Sequence, residues 1–511
     1  MTDGQGTDDT RRALVLAGGG LKVALQAGVL QVWLDEAGLR FDHADGASGG
    51  TFNLAMYCQG MTGRQIADNW RDMRPLKGVT PNWPQYLKGP YAASLFTLDG
   101  YRRHVFRDWG LDWEKIRATD RLATFNLYDF SRDELEVLTA DRMDEERLAA
   151  AVSLPMWFPA AVVDGRTYID PVYVTDANIG EAIRRGCDEL WIIWTVSQRR
   201  RWHDGFVADY FQIIETAANS RLREWQRRID AGNAALRAGE QGEFGRPITV
   251  RTLRCEVPLN YLVNFSRDRF RQAVELGVHR ARTWCAEEGI PLSAPLPCPS
   301  ADGTRLRFSE RMAGAIAFGP AAPGDRPESG GRPDGEDLSV RLTVRIEDLD
   351  RFIVCPEHRA AVTGQIHCEA LGGRREVESG SVDLLVQEDD PEHLRMRYRL
   401  FFTDRAGHPL TLSGHKTVDE DSGHGPWADT TTLYTRILRG HVGAEEEKGA
   451  EVVATGVVRL RLPDFVRELA SFRVGSDTAR GRLAALGRFG QFFAGRLWDV
   501  YLQGVLAWSP V

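Results

Sequence analysis

Gly46-Ala47-Ser48-Gly49-Gly50 is a G-x-S-x-G sequence placed unusually near the start of a 511-residue chain. Ahead of it, residues 41–45 are short enough for a strand, and residues 51–57 read as the opening of a helix. Strand, tight turn and helix is the setting in which G-x-S-x-G becomes a nucleophile elbow. Small residues let the backbone bend sharply there and push the serine hydroxyl out at the head of a helix. Taken alone, the same five residues are a glycine-rich turn that happens to contain a serine. The flanking blocks decide between the two.

Upstream, residues 13–17 (Ala-Leu-Val-Leu-Ala) form an apolar strand that runs into Gly18-Gly19-Gly20, and residues 21–34 have the spacing of a buried helix. Three glycines between strand and helix put bare backbone N–H groups at a helix N-terminus, where they can hold an anion. A nucleotide phosphate loop is one reading, but G-x-G-x-x-G fails at Val23 and no G-K-[ST] follows. An oxyanion hole is the second, since its donors must meet the charge that develops in acyl transfer. A tight turn with close helix–strand packing is the third. In an ordinary α/β-hydrolase the nucleophile follows several strands, so a serine at 48 implies another topology. There the oxyanion unit is followed at once by the nucleophile unit.

Downstream, residues 151–160 (Ala-Val-Ser-Leu-Pro-Met-Trp-Phe-Pro-Ala) precede Gly165-Arg-Thr-Tyr-Ile-Asp170. A strand ending at Asp170, a helix over 179–185 and a strand over 189–196 place this aspartate at a strand's C-terminal end, where α/β sheets carry their sites. An aspartate with an ordinary pKa near ~4 can serve as the base for a serine if burial raises it. The blander reading makes Asp170 a turn residue before Pro171. Histidine is the alternative base. The N-terminal half holds only His43, His104, His203 and His279, none of them in a motif, although His203 and His279 fit a Ser…Asp…His order.

Together the three blocks resemble the patatin-like phospholipases over about residues 12 to 290. Gly18-Gly19-Gly20-Leu21-Lys22 is similar to the family's oxyanion motif, and Gly46–Gly50 to its elbow. Ser153-Leu-Pro155, Phe158-Pro159 and Tyr168-Ile-Asp170 are similar to the segment that ends in its catalytic aspartate. The resemblance implies a three-layer α/β/α fold that hydrolyses acyl esters of lipids through a Ser48–Asp170 dyad, without histidine, metal or cofactor. It assigns Gly18, Gly19, Gly20, Lys22 and Gly49 to oxyanion and substrate binding. Two departures stand out. Val23 replaces a glycine one turn into the helix, and Asp170-Pro171-Val172 replaces Asp-Gly-Gly/Ala. Proline removes an N–H and restricts the residue before it, so a catalytically weak or inactive lipid-binding scaffold is the alternative expectation.

The bulk numbers suit two domains of a globular protein, with 43% apolar and 27% charged residues. A net charge of −8 provides no basic excess for nucleic acid. The polar start lacks a secretory pattern, and no apolar run reaches membrane-spanning length. Seven scattered cysteines without C-x-x-C point to free thiols and a cytoplasmic setting. Arg199-Arg-Arg-Trp202 is a candidate for peripheral contact with an anionic lipid surface. The aromatic-rich stretch 60–118 reads as core, or as an acyl pocket or lid.

The expected division is a hydrolase domain over 10–297, a Pro/Gly-rich linker over 298–337, and a β-rich accessory domain with a C-terminal helix over 338–511. Within the linker, 308–318 is an apolar island that could open the next domain. Strict alternation in Leu338–Ile346, Met396–Leu400 and Val458–Leu462 predicts antiparallel strands of a sandwich or barrel. The stretches 401–404, 411–414 and 427–436 weakly resemble a β-rich module found beside GMC-type oxidoreductases. Cys355, His358, His367 and Cys368 lack the spacing of a zinc site.

Overall fold

The structure is a computed structural model that describes residues 10–74, 77–198, 202, 204–255, 257, 262, 267–293, 304–319, 335–355, 357–387, 394–418, 432–444, 446–460, 472–475, 482, 485–490 and 492–493. His203, Arg199–Arg201, Arg461 and most of the expected C-terminal helix lie outside them. Two compact units divide at residues 297 and 298.

In chain order the first unit's strands are β1 (Arg12–Leu16), β2 (His43–Gly46), β3 (Thr80–Pro81), β4 (Phe96–Thr97), β5 (Ala123–Asp129), β6 (Glu134–Thr139), β7 (Ala161–Val163), β8 (Arg166–Ile169), β9 (Glu189–Trp194) and β10 (Thr249–Arg254). Five of them run parallel in the order β10-β9-β1-β2-β5. β1 explains why the sheet is covered on both faces. Leu14 and Leu16 enter one core with Trp33, Trp70 and Phe270. Ala13 and Val15 enter a second core with Ile179, Leu222 and Ile229. A continuous apolar strand is what a doubly covered parallel sheet requires, and the three-layer α/β/α expectation holds.

At the edge beyond β5 the strand direction changes. β8 pairs antiparallel with β5, Tyr128 facing Ile169, instead of joining the parallel run. β5 continues past the end of β2, where Gly46 meets Phe125. β8 returns along that overhang and so delivers Asp170 back toward the elbow. Short strands of four residues carry no orientation in their own sequence, so only the pairing decides this.

The second unit comprises β11 (Arg305–Phe318), β12 (Glu336–Ile346), β13 (Arg359–Cys368), β14 (Gly373–Val377), β15 (Ser379–Gln387), β16 (Leu394–Thr403), β17 (Pro409–Val418), β18 (Thr432–Arg439), β19 (Val452–Leu460) and β20 (Arg473–Gly475). Eight of them close into an antiparallel ring, β11-β12-β13-β15-β16-β17-β18-β19 and back to β11. The structure is therefore a barrel and not a sandwich, and closure removes exposed strand edges. The expected linker over 298–337 is corrected as well, because Arg305–Phe318 is a barrel strand paired with β12 along eleven register positions. Its alternation is weakened by Gly314 and three alanines, which is why it reads as an isolated apolar island.

Inside the barrel, Glu310 accepts from the Tyr398 hydroxyl at 2.9 Å and from the Lys416 ammonium. All three are buried. A buried ion pair survives where both charges meet hydrogen-bonding partners. Phe489 and Phe492, on the described part of the C-terminal helix, pack on Phe308 and Phe352.

Candidate active site

Ser48 follows β2 and precedes the helix Gly50–Cys58. Its φ of +46° is a conformation that residues with a side chain rarely adopt. Such strain persists only where the surroundings enforce it, and here they do. A Cβ on Gly50 would stand 2.2 Å from the Leu16 carbonyl, and one on Gly49 would stand 2.4 Å from the Gly20 carbonyl. Only bare backbone lets the elbow press onto the end of β1 and onto the glycine loop.

The Ser48 hydroxyl donates to Asp170 Oδ2 at 2.7 Å, and both residues are buried. The second carboxylate oxygen, Oδ1, accepts the Val172 amide at 3.0 Å, while the Asp170 amide donates to the Ser153 carbonyl at 3.0 Å. Pro171 opens a short 3₁₀ turn over Pro171–Tyr173, a position whose N–H has no helical partner in any case. The departure from Asp-Gly-Gly therefore leaves the carboxylate held at both oxygens. Burial pushes the Asp170 pKa up to about 7, against the lowering effect of the Ser48 and Val172 hydrogen bonds.

A polar network ties this arrangement to the elbow. The Asn126 amide donates to the Gly46 carbonyl at 2.9 Å and to Asp45 Oδ1 at 2.9 Å. Asn178, which caps the helix Ile179–Arg184, donates to Asn126 Oδ1 at 2.7 Å. The segment after Asp170 is thus fixed to the strand before Ser48. Asn126 and Asn178 were not among the expected site residues, since an asparagine carries no signal until its partner is known.

The glycine loop is partly as expected. Among the described residues, the Gly19, Gly20 and Gly49 amides donate to no protein acceptor, and all three residues line the cleft above Ser48. Gly18 is corrected: its amide donates to the Asp176 carbonyl at 2.9 Å and is not available to a ligand. Lys22 is corrected too. Its ammonium is buried against the Ser197 hydroxyl and does not line the cleft. Helix geometry turns that side chain away from the loop's open side.

His43 is no base for Ser48. It is buried beneath the elbow with Nε2 at 2.8 Å from the Thr124 hydroxyl, and burial lowers its pKa to about 4. His279 is exposed on the helix Arg267–Glu287. Among the described residues no histidine lines the cleft.

The cleft is open to solvent, and apart from the two glycine motifs, Asp170 and Asp176 its lining is apolar or aromatic, with Phe52, Leu98, Tyr101, Leu154, Phe158 and Phe211 among the residues. Leu98 and Tyr101 come from the aromatic-rich stretch, whose Trp70 and Trp109 are instead plain core. Of the six cysteines described, Cys58, Cys187, Cys285 and Cys368 are buried free thiols. No helix among the described residues is long and apolar enough to cross a membrane.

Residues 14–183 match the family model of the patatin-like phospholipases. Among solved structures, the crystal structure of VipD from Legionella pneumophila aligns over 55% of this chain and 67% of its own, at 13% identity and a TM-score of 0.29. No curated protein sequence matches. Over the stretch that runs from β1 through the elbow and Asp170 into the following helix, the chain carries a patatin-like phospholipase domain.

Proposed function

We propose that this chain hydrolyses acyl esters of lipids, phospholipids or lysophospholipids first among them, by a Ser48–Asp170 dyad. The observation that carries the reading is the 2.7 Å hydrogen bond from a strained, buried serine to a carboxylate at the floor of an apolar cleft. Ser48 Oγ attacks the ester carbonyl carbon while Asp170 takes its proton, and the Gly19, Gly20 and Gly49 amides are placed to meet the oxyanion. The tetrahedral species collapses with cleavage of the C–O bond. Asp170 returns the proton to the departing alcohol, and an acyl-serine remains. Water attacks that ester, Asp170 again accepting a proton, and the fatty acid leaves as Ser48 is restored. A base with a pKa near the working pH serves both directions of transfer. A serine-directed fluorophosphonate tests the reading: it is expected to label Ser48 in folded protein, and folded protein that stays unlabelled is a binder and not a hydrolase.

The surface beside the cleft supports substrate uptake from a lipid surface. Trp83, Leu87 and Tyr91 are 69%, 95% and 88% exposed. Their segment is attached to the cleft wall, the Leu95 amide donating to the Met156 carbonyl at 2.9 Å and the Phe96 amide to the Trp157 carbonyl at 2.8 Å. Met156, Phe206 and Ile213 are exposed as well. Exposed apolar side chains on segments that adjoin the wall of an apolar cleft are suited to an acyl–headgroup boundary. Replacing Leu87 and Tyr91 together by aspartate is expected to cut hydrolysis of vesicle lipid about 10²- to 10⁴-fold, from the loss of roughly 1.5–3 kcal/mol for each of the two inserted side chains. Turnover of a soluble short-chain ester should be unchanged. Equal loss on both substrates would contradict surface docking.

A further inference from the structure

The dyad and the amide donors leave one acid in the cleft without a role. Asp176 lies on the segment between the Pro171–Tyr173 turn and the helix Ile179–Arg184, is 2% exposed, and lines the same cleft as Ser48. Its carbonyl holds the Gly18 amide, and its side chain lies across the bare Cα of that glycine. A Cβ placed on Gly18 would stand 2.1 Å from Asp176 Oδ1 and 3.1 Å from the Ser48 Cβ. The carboxyl and the serine therefore flank one point of uncovered backbone at the start of the glycine loop.

Neither Asp176 oxygen has a hydrogen-bond partner among the described residues. Orphaned polar atoms at this depth are rare in folded proteins. The chain shows what a structural acid looks like at equal depth. Asp45 is fully buried too, yet it takes the Thr124 hydroxyl at 2.6 Å on Oδ2 and the Asn126 amide at 2.9 Å on Oδ1. Asp176 has been given no such donors. Burial, with the neighbouring Asp170 charge second, pushes its pKa well above the usual carboxylate value. Burial favours the neutral form of such a group, and neither of its oxygens has a hydrogen-bond partner among the described residues.

Resting on the acyl-hydrolase reading, we propose that Asp176 is a catalytic residue that stays neutral and donates its carboxyl proton in a hydrogen bond to the acyl oxygen of the bound ester. It is a further donor to the oxyanion, on the Gly18 side of the loop, beside the Gly19, Gly20 and Gly49 amides. No bond is made or broken at Asp176, and its proton stays on the carboxyl throughout. An apolar site can keep a carboxylic acid neutral for this task. A donor that is unpartnered at rest and satisfied only when negative charge develops contributes selectively to the transition state. An ionised carboxylate at the same place would oppose both the oxyanion and the ionised form of Asp170.

The test uses the full chain, a soluble chromogenic short-chain ester and the fluorophosphonate probe. Asp176→Leu, of similar shape and without a donor, is expected to lose kcat about 10²- to 10³-fold, the cost of one oxyanion donor. Its KM should stay within a few fold, and labelling of Ser48 should slow in parallel. Asp176→Asn, whose amide N–H can donate from the same place, is expected to keep kcat within about tenfold of wild type. Thermal midpoints establish that each variant is folded, and Asp176→Ala stands in for leucine if that variant is not. An Asp176→Leu chain with wild-type kcat overturns the proposal, as do Asn and Leu variants that lose kcat alike. A wild-type chain that neither hydrolyses nor labels overturns the dyad reading along with it. One that does both, with the leucine variant undiminished, overturns only the role of Asp176.

Discussion

Ser48→Ala is expected to bring ester turnover to background, a loss of about 10⁴- to 10⁶-fold when the nucleophile of a serine hydrolase is removed. The chain should remain folded. Alanine at φ +46° is strained much as serine is, and the elbow is held by glycine contacts with β1 and the glycine loop that the substitution does not touch. The hydroxyl's hydrogen bond to Asp170 is lost. With a pKa of about 7, however, that carboxyl can become neutral instead of remaining as a bare buried charge. Turnover of a chromogenic ester, fluorophosphonate labelling and the thermal midpoint should be read on the same preparation. Undiminished turnover in the serine variant would sink the proposed mechanism.

Asp170→Asn is expected to cost about 10²- to 10⁴-fold in turnover, the range of a general base, while making the protein more stable at neutral and alkaline pH. For wild type, kcat/KM should rise with pH through about 7 as the carboxyl ionises. Stability runs the other way. The folded carboxyl titrates at about 7 and the unfolded one at its ordinary value of 3.8, so between them the native state binds the extra proton. The stabilisation is present in full below about pH 4 and is lost as pH rises through about 7. At about 1.4 kcal/mol for each pH unit, the loss is on the order of 4 kcal/mol by pH 8. Asparagine does not ionise, so the thermal midpoint of the variant minus that of wild type should grow from pH 4 to pH 8. A difference that is flat across this range would mean that the carboxyl is not desolvated in the folded chain.

The parts of the site that local chemistry dictates were legible in advance. An elbow needs small residues on both sides of the nucleophile, so Gly46, Gly49 and Gly50 are visible as glycines before any packing is known. The loop Gly18–Gly20 is visible for the same reason. What the same residues do there was not legible. Gly18 reads as an amide donor, yet its hydrogen bond goes to Asp176. Its lack of a Cβ is what makes room for that carboxyl. Lys22 reads as a ligand contact, and the turn of the helix buries it against Ser197. Asp176 itself gives no signal in sequence, because an aspartate near a helix start looks like a cap wherever it occurs.

The second unit shows the same division. Alternating strands announce an antiparallel sheet, but sandwich and barrel share that alternation. The pairing of β12 with β13 and of β11 with β19 closes the ring. It also recruits residues 305–318, whose alanines and Gly314 hide the period. By itself, then, the sequence determined where the backbone must be bare, which strands are buried on both faces, and which serine and aspartate are candidates for chemistry. Those properties follow from side-chain size and periodicity over a few residues. Tertiary structure alone decided that β8 runs antiparallel and returns Asp170 to Ser48, that Val172 stands in for the amide missing at Pro171, and that Asp176 is left buried without a partner. Each of these depends on contacts between segments far apart in the chain, where burial sets a group's protonation and a neighbour's backbone sets its aim.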